Sequence, residues 1–559
     1  MVEERENEAP IAARSADEWL LHAQELLPLA LEKAREVKAF PSRWKTIISK
    51  LEQVPSCLLD LSSHPCFSKN ALCKEQLQGV SATLRESMEL AECCLREKHE
   101  GKLKMQSDLD LLTGKLDLNL KDCRVLVKTG VLGEATLPLS INKSSDSEVH
   151  TGIKELLARL QIGHLEAKHR ALDALLGIMK EDEKNLIAVI GRSNVAALVN
   201  LLTATTSPLI REKVVTIICC LIESGSCENW LITEGVLPSL IRLVESGSPT
   251  SKEKAVISLQ KLSGSPEAAH SIAEHGGTRP LIELCAHRGL TLQSSAACTL
   301  KNISAVPEAR QILAQEGLIE AMIDLLENGA SFGPKECAAQ CLQNITSSNE
   351  NLRRSVISKG GIRALLAYIN NSLLPLEPAV GAVRNLVGTV SLEGLVSAGL
   401  LPCLVHVIRF GALGAQQAAT SAICRVCGND DAKKLIGEAG IIPLLINSLE
   451  LKSDTLREVS AQAISSLITV HQNYREVKRN DKSVPNLVQQ LDPNPRNTAK
   501  KYAVSCLLCL SSSKKCRKVM VSYGAIGYLK KLTEMDVPGS KKLLERLERG
   551  KFWSLFSKS

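Results

Sequence analysis

The chain has 559 residues, of which 44% are hydrophobic, 23% are charged and only 3% are aromatic. Lys and Arg outnumber Asp and Glu by 68 to 61, and this net charge of +7 is too small for a dedicated nucleic-acid-binding protein. No segment reaches the roughly 20 apolar residues of a membrane-spanning helix. The 19 cysteines lie mostly in apolar helical runs, which predicts a reducing compartment, the cytoplasm or the nucleus.

The first 132 residues predict a helical bundle after a short polar terminus. Residues 1–14 are expected to be disordered, and the bundle should begin at about residue 15, where Ser15-Ala-Asp-Glu18 is typical of a capping box. Pro28 should kink the first helix or divide it into two pieces. Pro41 should precede a single second helix with its apolar stripe in the core. That stripe consists of Trp44, Ile48, Leu51, Val54 and Leu58.

Two further apolar stripes predict the third and fourth helices of this bundle. The third stripe consists of Leu77, Leu84, Met88, Ala91 and Leu95. The fourth steps by three or four residues along one face and consists of Met105, Leu109, Leu112, Leu116, Leu120 and Cys123. A Ser-rich linker over residues 133–149 should follow. The cluster of Cys57, Cys66, Cys73 and His64 is interpreted as partly buried thiols and an ordinary histidine, not as a metal site.

A short phrase recurs every 38 to 44 residues from residue 194 to residue 527. Typical copies are Gly235-Val-Leu-Pro238, Gly399-Leu-Leu-Pro402 and Gly440-Ile-Ile-Pro443. Further copies begin at Gly277, Gly317, Gly361 and Gly524. The glycine should end one short helix with a positive φ, and the proline suits the first turn of the next helix. A polar break and a longer helix rich in small residues, such as 296–303 or 338–345, complete each unit. Such units cannot bury their apolar faces alone and must stack.

This phrase and its period resemble the armadillo repeat. The resemblance covers residues 150–540 and implies an all-α fold, in which about nine repeats form a right-handed superhelical solenoid after the bundle. The phrase Ser107-Asp-Leu-Asp-Leu-Leu112 and the residues after it resemble the amino-terminal domain of plant U-box/armadillo proteins. In that family a U-box of roughly 70 residues lies between bundle and repeats. No room for it exists here, so the resemblance implies an armadillo relative without ligase activity.

One position of the third helices is the candidate binding column. The aligned residues are Cys220, Lys261, Asn302, Asn344, Asn385, Arg425, Ser466 and Cys509. In the armadillo family this column holds Asn residues facing a groove, where an amide can donate to and accept from the backbone of an extended peptide. The resemblance therefore implies a partner-binding groove at Lys261, Asn302, Asn344, Asn385 and Arg425. The alternative is that each Asn satisfies a local backbone carbonyl at a helix end.

The residues around this column indicate which class of peptide the groove should bind. Nuclear-import members of the family need a Trp one turn before each Asn, and Cys298, Gln340 and Gly381 stand there instead. Lys261 and Arg425 bracket the three Asn and favour a peptide with acidic residues at its ends. The pairs Cys424–Cys427 and Cys506–Cys509 have core spacing, so we expect neither metal nor redox chemistry from them.

The chain ends in a basic segment over residues 541–559. Residues 540–549 predict a helix with Leu543, Leu544 and Leu547 inward, which stops at Gly550 and caps the last repeat. The aromatic and basic residues 551–556 leave open a weak contact with an anionic membrane surface and thus a peripheral location.

The sequence contains no phosphate-binding loop, nucleophile elbow or zinc helix. It therefore predicts a non-enzymatic scaffold that binds extended segments of protein partners, without cofactor, metal, small-molecule substrate or nucleic acid. The alternatives are a regulatory component of the ubiquitin pathway without ligase activity of its own, and a peripheral membrane tether.

Overall fold

The computed structural model describes residues 15–64, 67–96, 101–128, 145–162, 165–181, 183–204, 207–287, 289–372 and 377–556. The predicted disordered terminus, most of the Ser-rich linker, Cys66 and the side chains of residues 550–559 lie outside the described residues. All regular secondary structure within these ranges is helical. The chain divides into two compact units, residues 1–258 and 259–559. The predicted domain boundaries at residues 132 and 149 stay a prediction.

The first unit begins with five helices that share one apolar core. They are α1 (Ala16–Glu36), α2 (Pro41–Leu51), α3 (Val54–Ser62), α4 (Ala71–Leu95) and α5 (Lys102–Lys128). Helix α4 packs against α1 and α5, and α2 and α3 pack against α5. All six residues of the fourth predicted stripe are buried. At the surface, Arg43 donates two hydrogen bonds to the Asp110 carboxylate, at 2.8 and 3.0 Å, and these lower the pKa of Asp110.

The capping box at Ser15 is confirmed, because Ser15 Oγ accepts from the Glu18 N–H at 3.2 Å and the Ser15 N–H donates to Glu18 Oε2 at 2.9 Å. Pro28 does not divide α1, which is continuous through it and packs along α4. The single second helix is wrong, since the chain forms α2 and α3 with a break at residues 52–53. Pro55 explains the break, because it lacks the N–H that would bond the Leu51 carbonyl in a continuous helix. Leu95 also departs from its predicted core position, with 44% of its surface exposed.

The rest of the first unit contains the first repeat helices. They are α6 (Ser145–Gln161), α7 (Leu165–Glu181), α8 (Glu183–Val189), α9 (Arg192–Ala204), α10 (Pro208–Glu223), α11 (Glu228–Thr233), α12 (Val236–Ser246) and α13 (Pro249–Leu262), which crosses the division between the units. Helix α6 begins at Ser145, so residues 145–149 of the predicted linker are helical. Serine and acidic residues are also typical of a first helical turn, which hides such a start in the sequence. Ala158 and Ile162, from α6 and its end, belong to the bundle core.

The second unit consists of helices in consecutive triplets. They are α14 (Pro266–Glu274), α15 (Thr278–Cys285), α16 (Leu290–Ala305), α17 (Arg310–Gln315), α18 (Leu318–Asn328), α19 (Phe332–Thr346), α20 (Glu350–Ser358), α21 (Gly361–Asn371), α22 (Glu377–Leu386), α23 (Leu392–Ser397), α24 (Leu400–Phe410), α25 (Leu413–Val426), α26 (Asp430–Glu438), α27 (Ile441–Ser448), α28 (Asp454–Leu467), α29 (His471–Arg479), α30 (Ser483–Gln489), α31 (Lys500–Leu510), α32 (Lys514–Ser522), α33 (Ala525–Glu534) and α34 (Ser540–Phe556).

Third helices of neighbouring triplets stack on one another in this unit. Helix α16 packs on α19, α19 on α22, α22 on α25, α25 on α28, α28 on α31 and α31 on α34. Small buried residues at the contacts, such as Ala296, Ala338 and Ala379, permit this close approach. The result is an all-α solenoid built from three-helix repeats.

Glycines join the first and second helices of most triplets, as the repeated phrase predicts. Gly399 and Gly440 have φ values of 87° and 75°, a region that costs other residues roughly 1–2 kcal/mol. Two positions differ by one residue from the prediction. Gly276 and Gly360 have the positive φ, whereas the predicted Gly277 has a φ of −70° and Gly361 already belongs to α21.

Helix α34 takes the third-helix place of the last triplet. Leu543 and Leu547 are buried, as predicted, and Leu544 is half-buried. The predicted stop at Gly550 is wrong, because α34 continues to Phe556. A glycine inside a helix costs only about 1 kcal/mol and does not have to end it. No helix in the described ranges has both the length and the apolar character that crossing a bilayer demands.

Candidate functional site

The third helices of the second unit carry polar and thiol side chains at helical spacing on adjacent elements, and all but one of these side chains are half-buried or exposed. These residues form what we call the polar face: Lys261, Cys298, Lys301, Asn302, Cys337, Gln340, Gln343, Asn344, Arg384, Asn385 and Arg425. Lys261 and Arg425 are exposed, and Asn385 is the one buried member, with 8% of its surface accessible. All five residues of the predicted binding column therefore belong to this set.

The three asparagines of the column hydrogen-bond to hydroxyl groups of the preceding repeat. Asn302 Nδ2 donates to Ser263 Oγ at 2.9 Å, and Asn344 Nδ2 donates to Ser304 Oγ at 2.9 Å. Asn385 Nδ2 donates to Thr346 Oγ1 at 3.2 Å. Each hydroxyl lies two residues beyond the column position of its own repeat, so the pattern advances by one repeat at each step. We call these three bonds the amide–hydroxyl ladder.

The hydroxyl groups fix the direction of these bonds. Ser263 Oγ donates to the Gln260 carbonyl at 2.8 Å, and Ser304 Oγ donates to the Lys301 carbonyl at 2.7 Å. Because each hydroxyl proton is already used inside its own helix, the oxygen can only accept from the asparagine. The amide nitrogen must therefore face the hydroxyl, which leaves the amide oxygen directed elsewhere.

The ladder determines which hydrogen-bond donors and acceptors of each asparagine remain available to a bound peptide. The Oδ1 atom of Asn302 has no hydrogen bond among the described residues. Asn344 Oδ1 accepts from Gln340 Nε2 at 3.1 Å. Asn385 also donates to the Gln343 carbonyl at 3.3 Å, so both of its amide hydrogens are engaged. Asn385 thus satisfies a backbone carbonyl near a helix end, but that carbonyl belongs to the preceding repeat, whereas Asn302 and Asn344 keep part of their hydrogen-bonding capacity.

Gly381 shows why this face has no tryptophan row at its centre. A Cβ atom at Gly381 would lie 2.4 Å from Nε2 of Gln343 and 2.9 Å from its Cδ. The Gln343 side chain therefore covers the backbone of α22 where a tryptophan would stand in nuclear-import members of the armadillo family. Gln340 occupies the corresponding place on α19 and donates to Gln343 Oε1 at 3.1 Å.

Two thiols of neighbouring repeats, Cys298 on α16 and Cys337 on α19, meet on the polar face. A hydrogen bond from Cys337 lowers the pKa of Cys298, and the Lys301 ammonium group contributes in the same direction against the effect of burial. The pKa of Cys337 is raised by the same pairing. Nearby Cys341 is fully buried, and burial raises its pKa to about 12. Cys298 is therefore the thiol of this group with thiolate character.

The other cysteine pairs behave as parts of the packing. Burial raises the pKa of Cys424 to about 12 and that of Cys427 to about 11. Burial also raises the pKa of Cys73 and that of Cys123 in the bundle, each to about 12. Within the described ranges, no three His, Cys, Asp or Glu side chains are grouped so as to hold a metal ion.

Sequence reasoning missed the acceptors of the ladder, the thiol pair and Arg384. The signal for the acceptors is present in the sequence, since a hydroxyl residue stands two positions after the column residue at Ser263, Ser304 and Thr346. In the next repeat, the residue two positions after the column residue Asn385 is Val387, which has no hydroxyl group. The following column residue, Arg425, donates from Nη1 to the Arg384 carbonyl instead, at 3.1 Å.

The first unit contains an open groove of about 700 Å³ between α6 and α7. Its apolar floor includes Ile153, Leu156 and Ile178. The main charged residue in its wall, Arg159, is paired with Glu75 at 3.2 Å and with Glu155 at 3.1 Å. Arg170, which also lines the groove, is paired with Glu166 at 3.4 Å, so both arginines of the lining are matched by carboxylates.

Comparisons with known proteins bear on the bundle and on the fold. A family model described as a domain of unknown function (DUF7032) matches residues 21–131. No protein with curated annotation matches the chain. An engineered protein solved by a structural genomics consortium is similar with a TM-score of 0.61 and 22% identity, over 71% of this chain and 98% of that one. This similarity shows the fold alone.

Two designed proteins match a shorter part of the chain. A designed armadillo repeat protein and a computationally designed armadillo repeat protein for modular peptide recognition have TM-scores of 0.39, with 22% and 23% identity. Each match covers 41% of this chain and 99% of the designed protein. The resemblance of the bundle to plant U-box proteins stays a prediction, because the matching family model has no functional description.

Proposed function

We propose that the protein is a non-enzymatic scaffold whose polar face binds an extended segment of a partner protein. The observation that carries this proposal is the alignment of amide and basic side chains, repeat after repeat, on stacked third helices. Lys261, Gln340 and Arg425 supply charges and amides at the surface, and Asn302 supplies an unbonded amide oxygen. Such groups suit the carbonyl and N–H groups that an extended backbone leaves free.

The spacing of the helices fits an extended chain. Packed helices lie about 8–10 Å apart, and an extended peptide rises about 3.3 Å per residue. Each repeat therefore spans about three residues of a bound segment. Side chains of the bound segment can then pack between successive third helices, while its backbone forms hydrogen bonds with the amide side chains of the polar face.

The amide–hydroxyl ladder supports this function indirectly. Each bond ties the third helices of neighbouring repeats, so that amides at the surface keep their positions before a partner arrives. A surface that is already ordered loses less conformational entropy on binding and binds more tightly for the same contacts. The described cysteines are all free, which supports a location in a reducing compartment, the cytoplasm or the nucleus.

Peptides selected from a random displayed library provide the test. We expect selected peptides to lose affinity by at least about tenfold when Lys261, Gln340 and Arg425 are all replaced by alanine, which corresponds to about 1.4 kcal/mol. The matched control is Arg279→Ala, which removes an exposed arginine paired with Glu283 on α15, outside the polar face, and should leave the affinity unchanged. Unchanged affinity of the triple variant, or failure to select any peptide, would contradict the proposal.

A further inference from the structure

Two arginines from neighbouring repeats lie together on the polar face. Arg384 is in the last turn of α22, and Arg425 is in the last turn of α25. Arg425 reaches back over α22, where its Nη1 donates to the Arg384 carbonyl at 3.1 Å. Arg384 Nη2 donates to Asn385 Oδ1 at 3.4 Å.

Neither arginine is paired with a carboxylate in the described part of the chain. Elsewhere in this unit, Lys433 pairs with Asp430 at 3.0 Å and Lys482 pairs with Glu450 at 3.1 Å. The charge of Glu377 acts on Arg384 and raises its pKa slightly against the other effects. The Glu377 carboxylate lies against Gly414 of α25, however, and forms no ion pair with either arginine. The two positive charges therefore have each other as close neighbours without an anion between them.

Arg384 also has an unsatisfied donor. Its Nε atom is buried and has no hydrogen-bond partner. Burial lowers the pKa of Arg384, and the charge of Arg425 acts in the same direction. A buried N–H of a charged group that has no acceptor destabilises the unbound protein, and an oxyanion hydrogen-bonded to it would remove that cost.

A helix dipole does not account for this arrangement. The C-terminus of a helix favours a nearby cation, which explains one basic residue in the last turn of each helix. It does not explain a buried Nε without an acceptor, or why Arg425 is directed onto the neighbouring helix that already carries Arg384. A guanidinium group presents several N–H donors in one plane and matches the oxygens of carboxylate and phosphate groups.

We propose that Arg384 and Arg425 form a binding site for an oxyanion side chain of the peptide that occupies the polar face. The side chain is a phosphorylated serine or threonine, or a glutamate or aspartate, and both arginines bind it from adjacent repeats. This site rests on the proposed peptide-binding function and adds the chemical class of its anchor residue.

Three pools of short, labelled peptides test the site on the full chain. The pools share the same randomised positions and differ only in a fixed central residue, which is serine, glutamate or phosphoserine. We expect the glutamate and phosphoserine pools to bind about tenfold tighter than the serine pool, the size of effect that hydrogen bonds to charged groups produce. The ratio between the phosphoserine and glutamate pools distinguishes the two sources of the oxyanion.

The double variant Arg384→Gln and Arg425→Gln should bind all three pools equally, at the affinity of the wild type for the serine pool. The matched control is Arg279→Gln, which removes an exposed arginine paired with Glu283 on α15 and should leave the preference intact. Circular dichroism and thermal melting confirm that each variant is folded. A preference that persists in the double variant, or equal binding of the three pools by the wild type, overturns the anion site alone. Absence of binding by every pool overturns the anion site and the peptide-binding function together.

Discussion

Asn344 donates its amide hydrogen to the hydroxyl of Ser304 at 2.9 Å, across a separation of 40 residues in the chain. The two residues lie on the third helices of successive repeats, and the equivalent bond recurs between Asn302 and Ser263. Each of these bonds links the same two positions of neighbouring three-helix repeats. The apolar contacts between repeats are much alike from one repeat to the next. The amide–hydroxyl ladder adds directional hydrogen bonds that align each third helix with its neighbour.

Removing a rung should weaken the coupling between two repeats. We expect Asn344→Ala to lower the free energy of unfolding by about 1 kcal/mol, since a neutral hydrogen bond contributes roughly that amount. Ser304→Ala should have a similar effect, and the double variant should cost less than the sum of the two. Urea denaturation of the four proteins gives the coupling energy, and strictly additive effects would show that the bond contributes nothing.

Gly437 should not tolerate a larger side chain. A Cβ atom there would overlap Asn473, which is buried and whose Nδ2 donates to the Lys433 carbonyl at 2.8 Å and to the Leu467 carbonyl at 3.1 Å. Because Asn473 cannot move without breaking these bonds, Gly437→Ala should destabilise the protein by about 1–3 kcal/mol.

The matched control for Gly437 is Gly527, a helical glycine in α33 with open space around its Cβ position. Gly527→Ala should stabilise the protein by up to about 1 kcal/mol, because alanine restricts the unfolded chain. Thermal melting of both variants checks the pair of predictions, and equal effects of the two substitutions would contradict the close approach at Asn473.

Cys298 should react with iodoacetamide at lower pH than the other half-buried cysteines. The hydrogen bond from Cys337 lowers its pKa, so the reactive thiolate persists as the pH falls through neutrality. Cys427 is the internal comparison, since burial raises its pKa to about 11 and its thiolate should be scarce at neutral pH.

Mass spectrometry of the modified peptides over a range of pH measures both sites. Cys337→Ala removes the donor and should shift the alkylation profile of Cys298 towards higher pH. The same profile for Cys298 in the wild type and in this variant would show that the thiol pair does not stabilise the thiolate.

Leu547 tests whether α34 closes the last repeat. Its side chain is 1% exposed in a helix that packs on α31, α32 and α33. Leu547→Ala should lower the free energy of unfolding by about 2–5 kcal/mol, the usual cost of a buried leucine. Leu544 is half-buried on the same helix, and Leu544→Ala should cost distinctly less. Equal costs would mean that α34 is not the cap of the array.

Periodicity predicted most of the fold because the repeat signal depends on glycine φ values and on apolar spacing within short segments. It placed Gly235, Gly399, Gly440 and Gly524 correctly at the positive-φ joints. It failed at Pro55, where one missing N–H divides a continuous apolar stripe into two helices. It also failed at Gly550, because a glycine and a chain of polar residues do not by themselves decide where a helix ends.

The candidate site was only partly predictable for a different reason. The column of Lys261, Asn302, Asn344, Asn385 and Arg425 follows from the alignment of repeats, but the direction of each side chain depends on its neighbour about 40 residues away. The sequence therefore could not tell that Asn385 is buried and saturated, or that Arg384 has a buried donor without an acceptor. Both facts come from the packing of α22 between α19 and α25.

Photo-crosslinking with a library-selected peptide tests most directly whether the polar face binds an extended partner segment. A photoreactive amino acid is placed at position 340 on the polar face, and in a second protein at position 312, where Ile312 of α17 is exposed and is not part of the polar face. We expect a crosslink from position 340 that unlabelled peptide competes away, and none from position 312. Crosslinking from position 312 with none from position 340 would contradict the claim that the polar face holds the partner.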